Sequence, residues 1–202
     1  GETVCHDNTV WLGTNTMKGF GKNVAIALKE LSQKHYNNFI EFLIEASQNP
    51  NIDKSQLESL IKLDWFNSFG TNGKLLHIYN LFSDIYGRKQ FAKDKCNIPH
   101  DVIIQFCKET EKQYREVDSN GLLTYMCNLA QDKELPLEHM LKTQSEVYGH
   151  ISYVNPSRIN TAVCMDINTK YSTFKVQLYR LDTGTTMVCK LRKKSFENSP
   201  LP

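Results

Sequence analysis

The sequence predicts an α+β fold in which a mainly helical region precedes an incomplete antiparallel β domain. Apolar residues recur every three or four positions from residue 22 to about 147, which is the period of an amphipathic helix. Past Asn155-Pro156, segments rich in Val, Thr and aromatic residues alternate with polar residues, as half-buried strands do. With 202 residues, 40% of them hydrophobic, the chain is long enough to bury a core.

The helical spacing defines seven segments. Val24, Ala25, Leu28 and Leu31 share one face of the first, and Pro99 just ahead of the fifth is a helix-start signal. We predict helices over residues 22–31, 36–44, 56–63, 74–86, 101–117, 122–131 and 137–147.

Three strands are predicted after the helices, at residues 161–167, 174–181 and 185–191. Asp182-Thr183-Gly184 is a turn signal, so the last two strands should form a hairpin. The boundary between the helical and β regions is therefore expected near residues 148–158.

The charge of the chain is distributed unevenly, although its net value is only +2. Residues 101–150 carry five Lys or Arg and nine Asp or Glu, a net charge of 5 − 9 = −4. Residues 151–202 carry eight and three, a net charge of 8 − 3 = +5. The basic end is a candidate surface for a polyanion, the alternative being a solvated face.

Cysteine usage and hydropathy indicate a reduced, cytoplasmic setting. None of the six cysteines stands in a C-x-x-C pair or in zinc-ligand spacing with His, so we expect free thiols. No apolar run reaches the length of a membrane span and no leader precedes the first motif, so we expect an internal piece of a soluble protein without a membrane partner.

One short stretch, Met17-Lys18-Gly19-Phe20-Gly21-Lys22-Asn23, suggests a phosphate site. A Walker loop would need Ser or Thr in place of Asn23, and a dinucleotide fingerprint would need Gly in place of Val24. The remaining interpretation is a tight turn between two short helices, with Met17 closing the first. Its glycines would let a phosphate approach the amides at the start of the second helix. We predict DNA contacts from Lys18, Gly19, Phe20, Gly21, Lys22 and Asn23, the alternative being a purely structural αα-hairpin.

This spacing resembles the helix-hairpin-helix motif of proteins that hold duplex DNA without reading its sequence. A second copy is suggested by residues 51–70, which resemble the leucine-isoleucine-lysine stretch of bacterial C-family replicative polymerases, the alpha subunit of DNA polymerase III. Phe39-Ile40-Glu41-Phe42-Leu43 is similar to the segment between the two hairpins of that family. Residues 147–153 and 166–196 resemble its next segment and the opening strands of its OB-fold.

The resemblance implies a tandem helix-hairpin-helix region over residues 1–90, a helical connection over 91–150 and a truncated OB-like domain over 151–202. The parent would be a DNA-directed DNA polymerase that uses Mg²⁺, with double-stranded and single-stranded DNA and other replisome subunits as partners. Its catalytic carboxylates would lie in a palm domain before residue 1, so this piece is expected to be inactive and to hold no cofactor. Leu63-Asp64-Trp65 departs from the family pattern in the second hairpin, and Tyr148 stands where leucine is usual. No sliding-clamp peptide is recognisable.

In the β region, aromatic and basic residues interleave, as a single-strand-binding surface requires. Tyr171, Phe174 and Tyr179 alternate with Lys170, Lys175 and Arg180. Residues two apart share a face of a strand, so we predict that Lys175 and Tyr179 face DNA and that Phe174 is in the core. Lys190, Arg192, Lys193 and Lys194 would follow the DNA backbone, or would keep an edge strand soluble.

Catalysis has no support in the sequence. The acidic pairs Glu109 with Glu111 and Asp132 with Glu134 lie in a solvated acidic stretch, and no histidine stands in a nucleophile motif. The alternative function is a helical protein-interaction adaptor with no nucleic-acid role. Steep loss of affinity with salt would distinguish phosphate contacts from an apolar interface.

Overall fold

The structure is a computed structural model that describes residues 4–6, 9–11, 13–170, 173–192 and 194. It forms two compact units. The described residues up to 15 and from 20 to 135 form the first unit, and residues 16–19 with those from 136 onward form the second. The predicted boundary near residues 148–158 therefore falls inside the second unit. Among the described residues, no helix combines the length and the apolar character needed to cross a membrane.

The described part of the first unit contains six α-helices. They are α1 (Lys22–Ser32), α2 (Phe39–Gln48), α3 (Lys54–Lys62), α4 (Asn72–Ile85), α5 (His100–Ile103) and α6 (Ser119–Asn128). Their apolar faces meet in one core, whose residues include the fully buried Leu43, Leu75, Ile85 and Leu122. The predictions of α1 to α4 and α6 are confirmed.

Side-chain caps explain where two of these helices begin. Asn38 accepts a hydrogen bond from the Glu41 amide at the start of α2. Asp53 and Gln56 form a capping box at the start of α3, with bonds of 2.8 and 2.9 Å. Such caps satisfy backbone amides that have no partner inside the helix.

The predicted helix over residues 101–117 is wrong after its first turn. Helix α5 passes into a 3₁₀ turn at Ile104–Phe106, and the chain then forms the strands β4 (Lys108–Glu109) and β5 (Gln113–Arg115). Strand β5 lies between β4 and β3 (Gln90–Ala92) in an antiparallel sheet. Good helix formers fill this stretch, but Tyr114 is buried opposite Phe91 in the sheet, and that tertiary pairing overrides helix propensity.

A short hairpin also lies near the amino end of the first unit, where no strand was predicted. Its strands are β1 (Val4–His6) and β2 (Thr9–Trp11), which pair antiparallel.

The described residues of the second unit contain one α-helix and a three-stranded antiparallel sheet. Helix α7 (Leu137–Tyr148) ends at Gly149, whose φ of 74° is the left-handed conformation that glycine adopts readily. The strands β6 (Ala162–Asn168), β7 (Thr173–Arg180) and β8 (Thr186–Arg192) follow in spatial order. All three strands and the β7–β8 hairpin are confirmed, and so is the α+β class. The described strands of this sheet do not close into a barrel.

The sheet carries one irregularity, in β6. Cys164 pairs with Leu178 and Asp166 pairs with Gln177, so Met165 is an extra residue and forms a β-bulge. The core of this unit consists of Leu141 on α7 with Tyr179 and Leu181.

Candidate nucleic-acid interface

The start of α1 is exposed and receives no cap from a side chain. Gly21 is the N-cap residue, with an extended backbone and no side-chain cap hydrogen bond. A Cβ added at Gly21 would meet no described atom within 4 Å, and Lys22 and Asn23 are exposed. The first turn of α1 contains no acidic residue. A helix start of this kind attracts anions through its amides and dipole.

The turn before α1 differs from the predicted one. The element ahead of it is a three-residue 3₁₀ turn, Thr14–Thr16, so the prediction of a helix closed by Met17 is wrong. Thr-Asn-Thr is a poor helix sequence, because short polar side chains compete for backbone hydrogen bonds. Phe20 is also only 3% exposed, so its ring belongs to the core of the fold and cannot contact DNA as predicted.

Lys18 and Gly19 belong to the second unit rather than to the unit of α1. The Lys18 amide donates a 2.8 Å hydrogen bond to the carbonyl oxygen of Val147, the residue before the end of α7. The Lys18 side chain is exposed, and Gly19 has a φ of 84° that favours glycine.

The start of α4, which follows the predicted second copy at residues 51–70, is occupied by the chain itself. The Lys74 amide donates to the Lys133 carbonyl oxygen at 3.1 Å, and the Thr71 hydroxyl donates to Asp132 Oδ1 at 3.0 Å. A Cβ on Gly73 would lie 2.2 Å from that Lys133 oxygen, which is shorter than any normal contact. An acceptor and a carboxylate therefore stand where a phosphate would have to bind. Glycine in the first turn of a helix lowers helix stability. Gly73 could therefore have indicated that another backbone segment packs closely at this position.

In the second unit, three of the predicted cations lie on one open face of the sheet. Lys175 on β7 pairs directly with Lys190 on β8, and Arg192 lies in the next row of that face, opposite Thr173. The side chains of Lys175, Lys190 and Arg192 are exposed, and so is that of Thr173. Among the described residues, Lys175, Lys190 and Arg192 have no ion-pair partner. We call these three residues the basic strand face.

The opposite side of the same strands is the apolar one. Phe174 pairs with Leu191 and Val176 with Cys189, and Phe174 and Val176 are 8% and 3% exposed. The predictions that Phe174 is buried and Lys175 exposed are confirmed. Side-chain alternation in the first half of β7 therefore gives a solvent-exposed basic face and a buried apolar face.

Tyr179 was predicted on the DNA-facing surface, and that placement is wrong because its side chain is 2% exposed. Its ring packs against Leu141 of α7 and Leu181. The hydroxyl donates a 2.7 Å hydrogen bond to the carbonyl oxygen of Tyr153, and burial raises the pKa of the phenol. Alternation correctly assigned Tyr179 to the face of Lys175, but helix α7 and the chain after it cover that end of the face.

The other predicted residues of the β region divide into three groups. Arg180 pairs with Asp182 at 2.7 Å, and this hydrogen bond holds the pKa of Asp182 below its usual value. Lys170 and Lys194 are exposed. Tyr171 and Lys193 lie outside the described residues.

Other chemistry is not assembled in the described part of the chain. There, no three His, Cys, Asp or Glu side chains are grouped so that they could hold a metal ion. Glu109 accepts from Lys93, a bond that lowers the pKa of the carboxyl, and Asp132 accepts from Thr71. Cys96, Cys107, Cys127, Cys164 and Cys189 are free thiols. Burial raises the pKa of Cys127 to about 11, which makes it a poor nucleophile at neutral pH.

Comparison with known proteins identifies no relative. No family model, curated protein or solved structure matches the chain.

Proposed function

We propose that this chain is a non-sequence-specific DNA-binding region of a bacterial C-family replicative polymerase, the alpha subunit of DNA polymerase III. The basic strand face would hold single-stranded template, and the start of α1 would contact a phosphate of the duplex. The polymerase chemistry would belong to the parent chain and its Mg²⁺ ions. The observation that carries the proposal is the exposed Lys175–Lys190 pair, with Arg192 in the next row.

This arrangement costs stability unless an anion binds. Like charges directly opposite on neighbouring strands destabilise a sheet by an amount on the order of 0.2–1 kcal/mol. A bound phosphate chain reverses the sign of that contribution, because both ammonium groups then have counterions.

The duplex contact has weaker support, since it depends on one open helix start and on Lys22. The start of α4 adds nothing to it, because Lys133 and Asp132 occupy that helix start. We therefore expect duplex affinity to be weak and single-strand affinity to be the better test.

The test measures the affinity of fluorescein-labelled oligothymidine by anisotropy over a series of salt concentrations. The double variant Lys175→Gln, Lys190→Gln should bind more weakly. It should also flatten the plot of log affinity against log salt by about 1.4, since each single-strand phosphate contact contributes roughly 0.7. Arg158→Gln is the matched control, because Arg158 is exposed in the same unit but lies off the strands.

Two results would refute the proposal. One is an affinity that does not depend on salt, and the other is a folded double variant that binds as well as Arg158→Gln.

A further inference from the structure

An open groove runs along α1 in the first unit, with a volume of about 1140 Å³. We call it the α1 groove. Its apolar lining comes from α1, α2, α3 and the segment after α3, and includes Ile26, Leu28, Phe42, Leu60, Trp65 and Phe66.

Some lining residues of the α1 groove are buried in the core, and two others are largely exposed. Phe42 and Leu60 are 5% and 0% exposed, whereas Ile26 and Trp65 remain 46% and 45% exposed. Two large, partly exposed apolar side chains in the lining of one apolar groove are typical of a surface that another apolar surface covers.

The rim of the α1 groove is basic. Its lining contains Lys22, Lys29 and Lys34 and, among the described residues, no carboxylate. Lys34 pairs with Glu45, which also accepts a 2.9 Å hydrogen bond from the Tyr36 hydroxyl. Lys22 and Lys29 have no ion pair within the described part of the chain. They lie seven residues apart on α1, with Ile26 between them on the same side of the helix.

We propose that the α1 groove binds an amphipathic helix of a partner protein, with an apolar stripe against Ile26 and Trp65 and acidic residues beside Lys22 and Lys29. The eleven residues of α1 span about 16 Å, which matches roughly three turns of a helix laid along it. The rim lysines supply charge complementarity and orientation. This proposal does not depend on the DNA-binding function.

Single-stranded nucleic acid fits the α1 groove less well. Nucleobases carry polar edges that need hydrogen-bond partners, and the walls here are chiefly aliphatic and aromatic. Among the described aromatic residues that line the groove, Trp65 is also the one whose side chain is exposed. Stacking of successive bases needs more than one such ring.

The test uses the full chain and labelled helical peptides of about 15 residues. Both peptides have leucines at i, i+3, i+4 and i+7, and they differ only in having glutamate or lysine at the flanking positions. We expect the acidic peptide to bind and the basic one to bind at least roughly tenfold more weakly. Ile26→Lys should reduce affinity for the acidic peptide by roughly tenfold or more. Leu129→Lys is the matched control, since Leu129 is 60% exposed in the same unit and does not line the groove.

The charge part of the proposal is tested by the double variant Lys22→Glu, Lys29→Glu, which should exchange the preference between the two peptides. Circular dichroism of each variant checks that the helices remain, and Ile26→Ser replaces Ile26→Lys if that variant is unfolded.

Several results would overturn the proposal. Failure of both peptides to bind the folded chain would do so, as would equal losses from Ile26→Lys and Leu129→Lys. If oligothymidine binds in a manner that depends on Ile26 and displaces the peptide, the groove is a nucleic-acid site. If the chain forms a dimer that Ile26→Lys dissociates, a second copy is the occupant.

Discussion

Substitution of Tyr179 tests how the sheet of the second unit is used. Tyr179→Ala removes a ring that is 2% exposed and packed against Leu141 and Leu181. Truncation of a buried aromatic residue costs about 3–5 kcal/mol of unfolding free energy. Burial of about 150–200 Å² of aromatic surface, at about 25 cal/mol per Å², gives a similar value of roughly 4–5 kcal/mol. Since whole domains are stable by only about 5–15 kcal/mol, the second unit should become marginal.

Tyr179→Phe isolates the hydroxyl group. It keeps the ring and removes the 2.7 Å hydrogen bond to the Tyr153 carbonyl oxygen. We expect a loss of about 1–3 kcal/mol, the upper part of the range applying if that oxygen is left without a donor. Lys175→Ala, on the open end of the same face, should change stability by less than about 0.5 kcal/mol and should weaken oligothymidine binding.

Native-state hydrogen exchange of the β7 and β8 amides is the suitable assay, because it reports the stability of this sheet without depending on the first unit. Oligothymidine affinity is measured on the same samples. If Tyr179→Ala leaves amide protection unchanged and weakens binding, the ring is on the DNA surface and the reasoning from burial is refuted. If Tyr179→Phe and Tyr179→Ala cost the same, the ring contributes nothing to packing.

Two further predictions concern single positions. Gly73→Ala should lower the unfolding free energy of the first unit by about 1–3 kcal/mol, because the new methyl group would lie 2.2 Å from the Lys133 oxygen. Urea denaturation measures this loss. An unchanged denaturation midpoint would mean that the contact between Gly73 and Lys133 is not tight. The hydrogen bond from Arg180 lowers the pKa of Asp182 below its ordinary 3.8. The contribution of this bond to the stability of the folded protein is therefore complete above pH 3.8, and it is lost as the pH falls through the lowered pKa of the folded state. Asp182→Asn should therefore make the melting temperature of the second unit less dependent on pH below about 4, and an identical acid profile would contradict the assignment.

Most helices and strands could be predicted because one face of each is apolar at a regular period. The predicted bounds of β7 and β8 differ from the observed ones by one residue at each end, since Phe174, Val176 and Leu178 alternate with polar residues along β7. The helix predicted over residues 101–117 was wrong because the charged residues of this stretch favour a helix locally. The interaction that decides its structure is the long-range pairing of Tyr114 with Phe91. A single sequence contains no direct signal for the pairing of Phe91 with Tyr114, which are 23 residues apart.

The candidate site was predictable as a set of charges but not as a surface. Lys175, Lys190 and Arg192 were recognisable from composition, and their exposure follows from alternation. The length of the open face was not recognisable, because it depends on where α7 lies over the sheet. Tyr179 was therefore assigned to the correct side of β7 and to the wrong environment.

Glycine stands at the starts of α1 and α4 in the first unit, but its surroundings differ between the two. At Gly21 the space that a Cβ would fill is open, so the missing side chain leaves the first turn of α1 accessible to an anion. At Gly73 the same space is filled by the Lys133 carbonyl, which already accepts a hydrogen bond from the Lys74 amide. Glycine permits close approach in both places, but in the second the approaching group is the protein's own backbone. The proposed duplex contact therefore depends on the start of α1 and not on that of α4, which is the physical reason to expect a weak affinity for duplex DNA.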